Sequence, residues 1–239
     1  MRAHFSAHRI QSPWCIVGKA YFDPELFQFL AQLKRNNRRP WFLKNRERYQ
    51  EVAHQPGLRF VTDFGFRLKE ISPWIVVDPK PHGGSLQRVY RDIRFSPDKR
   101  PYKTWVGMVF PHASRSEEVR AVGYYLHLEA EGSFLYGGTW QPDRRSLAKI
   151  RDAIAWKPEE WKKARRGLVL EGARLSRAPR GYLEDHPMIE DLKWVDFVSS
   201  VRFAKKQVCG ADFLRYATAA AKKLAPLLGF LARAQGLEY

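Results

Sequence analysis

The chain is poor in cysteine and in acid. Its two cysteines, Cys15 and Cys209, lie far apart and fit neither a C-x-x-C motif nor a metal-ligand spacing. That argues against a disulfide scaffold or a zinc knuckle, so no metal is expected and a reduced, cytoplasmic protein is the simpler reading. No apolar run reaches the length of a membrane span, and no membrane partner is expected. The first 22 residues carry Arg2, Arg9 and Lys19 without a continuous apolar stretch. They lack the pattern of a secretory signal and read as a loose basic arm, 1–22. G-x-G-x-x-G, the P-loop, G-x-S-x-G and H-E-x-x-H are all missing, which removes the familiar nucleotide, hydrolase and zinc signatures and leaves no cofactor to expect. With neither internal repeats nor a long linker, residues 23–239 read as a single α+β domain.

What is present is positive charge. Only 25 carboxylates face 42 lysines and arginines, a net +17, which attracts polyanions at long range. An anionic small molecule and nucleic acid are therefore the partner classes to weigh. Hydrophobic residues at 44% and aromatics at 14% are enough for a globular core.

Hydrophobic periodicity divides the chain. Leu26, Phe29, Leu30 and Leu33 recur at helical spacing behind Asp23, a helix-capping residue, and Pro24. A second helix starts near Pro40, with Trp41, Asn45, Tyr49 and Val52 on one face. A third follows Pro56 and carries Val61, Phe64, Leu68 and Ile71. Over residues 86–140 the period becomes two: Val89, Ile93 and Phe95 alternate with polar residues, as do Val106, Met108 and Phe110. "GYYLHLEAEGSFLYGGTW" reads as a hairpin turning at Glu131-Gly132. The expectation is an antiparallel meander with helices packed on one face. The remainder reads as helix, with Pro226 kinking or splitting the last one.

The densest stretch is "RVYRDIRFSPDKRPYK", residues 88–103, with six basic residues, two aspartates and three aromatics. Pro97 and Pro101 stiffen it. Arg91 falls on the apolar side of its predicted strand, where it needs a partner such as Asp98. The two-residue turn sets Glu129 opposite Phe134, His127 opposite Tyr136 and Tyr125 opposite Gly138. Together with Trp140 these share one face, with the glycine leaving a hollow. Arg88, Tyr90, Asp92, Arg94, Lys103 and Trp105 are expected on the same side.

These motifs carry a resemblance. The sequence resembles a widespread bacterial and fungal group of conserved hypothetical proteins, classed as a domain of unknown function. Its hallmark R-[IV]-Y-R-D-x-R-F-S-x-D-K-x-P-Y-K is matched by Arg88, Tyr90, Arg91, Asp92, Arg94, Phe95, Ser96, Asp98, Lys99, Pro101, Tyr102 and Lys103. An upstream block, N-N-x-R-x-W-F-x-x-N-[KR]-x-x-Y, is matched from Asn36 to Tyr49. Later blocks correspond to "GYYLHLE", "GGTWQP" and "PRGYLEDHP". Pro40 departs from the pattern, and the match spans roughly residues 24–200. The resemblance implies one α+β domain and no established activity.

The leading expectation is an anion-binding pocket for a phosphate or carboxylate ligand on the uncovered sheet face. Arg88, Arg91, Arg94, Lys99 and Lys103 supply charge, and Tyr90, Tyr102, Trp105, Tyr125 and Trp140 supply walls and hydroxyls. The first rival is an enzyme acting on such a ligand, with His127, Glu129 and Asp92 dividing base, orienting and acid roles. The second is single-strand nucleic-acid binding on the aromatic face.

Overall fold

The computed structural model describes residues 20–114 and 122–239, so the predicted arm lies almost wholly outside the described residues. Asp23 accepts the Glu25 N–H and opens α1 (Pro24–Arg35), whose apolar stripe is fully buried. After α2 (Arg39–Lys44) and α3 (Arg46–Tyr49), a π turn over Gln50–His54 leads into α4 (Gln55–Ile71). Then come β1 (Val106–Pro111), β2 (Gly123–Leu128), β3 (Ser133–Thr139), α5 (Arg144–Trp156), α6 (Pro158–Ala164) and β4 (Leu170–Glu171). The last elements are α7 (Ile189–Leu192), β5 (Phe197–Phe203), α8 (Lys205–Val208) and α9 (Phe213–Ala234).

The fold is α+β. Its five-stranded antiparallel sheet runs β1-β2-β3-β5-β4, a meander extended by β5 and a short edge strand. Tyr124, Leu126, Leu128 and Leu135 point into one core shared with α4 and α9. Gly137 lets α9 approach: a Cβ there would lie 2.8 Å from Leu228 Cδ1 and 3.0 Å from Leu224 Cβ. α9 runs unbroken through Pro226. That residue is exposed, and the Lys222 carbonyl it leaves without a helical donor sits at an exposed position where water can reach it.

Three expectations change. Residues 88–95 form no strand; isolated bridges, Leu86 to Met108 and Tyr90 to Tyr102, replace the ladder. Asp92 Oδ1 accepts the Arg94 N–H and Asp98 Oδ1 the Arg100 N–H, local bonds that compete with strand pairing. Phe95, expected in the core, is 93% exposed at the tip of this loop. The β2–β3 connection uses four residues, not two, so His127 pairs with Phe134 and Tyr125 with Tyr136. A shift of two positions preserves every face. Finally, β5 was unforeseen, although Phe197, Ser199, Val201 and Phe203 alternate with Val198, Ser200 and Arg202.

Candidate functional site

The sheet face turned away from α9 carries Tyr125 and His127 from β2, Phe134 and Tyr136 from β3, and Ser200 from β5. His127 is layered between rings, 4.6 Å from Phe134 at an interplanar angle of 2° and 5.5 Å from Trp105 at 25°. Both of its nitrogens are occupied. Nδ1 lies 3.3 Å from the Tyr125 hydroxyl and Nε2 3.1 Å from Glu129 Oε2. The other Glu129 oxygen accepts from Thr104 Oγ1 at 3.1 Å. Burial holds the imidazole below its usual pKa, with Glu129 opposing. The neutral ring then fits the order in which Tyr125 donates to Nδ1 and Nε2–H donates to Glu129. Burial likewise pushes the Tyr125 phenol up to about 12.

A polar notch adjoins this chain. A Cβ on Gly107 would lie 2.7 Å from Gln87 Oε1 and 2.9 Å from the Tyr125 hydroxyl, so the glycine makes room for both groups. Lys103 Nζ donates to Gln87 Oε1 at 3.0 Å. Its pKa is lowered, first by burial and then by the nearby Arg88 charge. Among the described residues, neither Lys103 nor Arg88 has a carboxylate within ion-pair distance. The buried Trp105 indole N–H acts on the Tyr125 hydroxyl but falls short of full hydrogen-bonding geometry.

The rest of the 88–103 loop is satisfied internally. Arg91 Nη1 pairs with Asp98 at 2.7 Å and also donates to the Arg100 carbonyl. Arg94 forks onto Asp92, and Arg100 onto Asp98. Arg94 holds the Asp92 carboxyl down at about 2. Lys99 donates to the Ile93 carbonyl. Tyr102, expected as a ligand contact, is instead a core ring stacked on Phe42 at 4.1 Å. Its backbone is held at both ends: Tyr102 N–H donates to Asn37 Oδ1, and Asn37 Nδ2 donates to the Tyr102 carbonyl. Tyr90 is half-exposed and packs edge-on against Phe42.

The structure therefore brings Lys103, Trp105, Tyr125, His127 and Glu129 together, with Arg88 alongside. It leaves Arg91, Asp92, Arg94 and Lys99 in a separate self-paired loop. Trp140 is half-exposed beyond the end of β3 and shares no ring contact with the His127 stack. The expected hollow at Gly138 is filled, because a Cβ there would lie 2.0 Å from the Phe197 carbonyl oxygen. Gln87, Thr104 and Gly107 escaped the sequence reading, since nothing local marks a glutamine or threonine as facing a site. Farther along the face, Glu171 accepts from Tyr136 at 2.9 Å and from Ser200. Among the described residues no group of three histidine, cysteine, aspartate or glutamate side chains could hold a metal ion. No helix among them is long and apolar enough to cross a membrane.

A helix-backed antiparallel sheet with a polar notch on its other face defines an α+β protein. The profile of a family described as a conserved hypothetical protein (DUF2461) matches residues 25–230, and the chain belongs to that family. No curated protein and no solved structure matches it.

Proposed function

We propose that this protein binds a small phosphate- or carboxylate-bearing ligand at the notch formed by Arg88, Lys103, Trp105 and Tyr125. The observation that carries this is a group of donors with no carboxylate at ion-pair distance among the described residues, Asp92 reaching Arg88 only at longer range. The half-buried Lys103 ammonium feels the Arg88 charge, and the buried Trp105 indole N–H has only an imperfectly placed neighbour in the Tyr125 hydroxyl. A buried indole N–H left short of a full hydrogen bond costs on the order of 1–3 kcal/mol, which an anion's oxygen would offset. In this reading Arg91, Arg94 and Lys99 shape the loop and do not touch the ligand, because carboxylates and a carbonyl already hold them. The expected result is that inorganic phosphate or citrate raises the melting temperature of the wild type, and that Lys103→Ala and Arg88→Ala abolish the shift. Arg94→Ala should retain it. An unchanged shift in Lys103→Ala would remove the site.

A second reading rests on the hydrogen-bonded series Tyr125, His127, Glu129. It has the order of an acid–base relay, with the carboxylate orienting the imidazole and the imidazole facing a phenol beside the anion notch. It would make the protein an enzyme acting on the same ligand class. Asp92 takes no part in it, being held by Arg94.

A further inference from the structure

A second collection of unmatched cations lies at a cleft that reaches Ala130 of the β2–β3 turn. An open cleft of about 490 Å³ runs between α1 and α8, within the size range of small-molecule sites. The exposed Arg35, Lys205 and Lys206 line it together with the buried Phe27 and the half-buried Ala130 and Cys209. No carboxylate residue lines it. Among the described residues none of the three cations forms an ion pair, whereas Arg67, Lys162 and Arg215 each pair with an acid one helical turn away. Arg35 makes only a long 3.4 Å bond to the Ala31 carbonyl. Lys205 Nζ stands 5.7 Å over the Phe27 ring.

The nearby acids are engaged elsewhere. Asp23 caps α1, Glu25 is held by Arg48, and Glu131 by Lys34. Three like charges therefore line an apolar floor with no carboxylate among the described residues in ion-pair contact. Asp23 reaches the cleft only through its longer-range effect on Cys209, and an anion with a hydrocarbon or aromatic body would complete the arrangement.

We infer that this cleft is a second binding site, for an organic anion whose carboxylate or phosphate head meets Arg35, Lys205 and Lys206 while its apolar body lies on Phe27. It is independent of the notch beside Tyr125, and each site stands or falls alone. Cys209 supplies a local reporter, because its thiol lines the cleft and burial raises its pKa, so that it alkylates slowly.

The test is iodoacetamide modification of Cys209 in the full chain, followed by peptide mass spectrometry, with octanoate, octyl phosphate, acetate or inorganic phosphate added. Octanoate or octyl phosphate should slow modification several-fold, and the better of the two identifies the head group. The double variant Lys205→Ala/Lys206→Ala, checked for an unchanged melting temperature, should lose that protection, and the single variant Lys206→Glu provides an independent check. Lys103→Ala should keep it. No protection by either octyl compound, or protection that survives the double variant, overturns the site. Equal protection by acetate and inorganic phosphate overturns its apolar half.

Discussion

His127 shows how little a residue's identity says about its work. Its ring is covered on both faces and bonded at both nitrogens, so the same geometry that makes a relay also makes a rigid pin between β2 and the Trp105 segment. Acid separates its two protonation states. The folded protein holds the imidazole below 6.5, chiefly through burial, while the unfolded chain takes up a proton near that value. The stabilisation from the neutral ring is therefore complete above about pH 6.5 and is lost as the pH falls below it. Urea unfolding measured at roughly pH 7.5 and 5.5 should show a loss of stability on acidification that His127→Asn reduces. An equal loss in the variant would place the titrating group elsewhere.

At the scale of elements, the legible parts were those whose pattern is local. The α1 stripe, the α4 stripe and the alternation of β1 and β2 each appear within a dozen residues, and the register error in the hairpin cost nothing because it was even-numbered. What stayed hidden depended on distant partners. Residues 88–95 alternate like a strand, yet Asp92 and Asp98 fold the segment onto its own arginines. β5 hid behind a run of helical segments, and Gly138 read as a hollow because the strand that fills it was missing from the reading. The candidate site was half legible. His127, Glu129, Tyr125, Lys103 and Trp105 were all named, but Gln87 and Gly107 join them only through the bridge between residues 86 and 108. Gly137 is the element-scale hinge of this arrangement. Gly137→Ala should push α9 away from β3 and destabilise the protein by about 1–3 kcal/mol, read as a lower urea midpoint. An unchanged midpoint would mean that Leu224 and Leu228 relax freely.

At the scale of the molecule, a charge of +17 invites a nucleic-acid reading. The loop with the highest density of cations gives that reading less help than its composition suggests, because Asp92 and Asp98 hold three of its arginines in ion pairs. A notch offering two cations outside ion pairs predicts weak binding of a single-stranded oligonucleotide, with a salt slope on the order of two released ions. Anisotropy with labelled dT20 across 50–200 mM salt, a range chosen for its roughly thousandfold or greater effect on extended interfaces, separates the readings. A fall of that size would restore nucleic acid as the partner.

Asn37 has a consequence for how the chain is made. It grips both backbone groups of a residue 65 positions later. During synthesis the helix that ends beside it emerges well before the loop it will hold. The arginine-rich segment is thus secured by two bonds to a residue made well before it, so a peptide of that segment alone would lack the template that gives it shape.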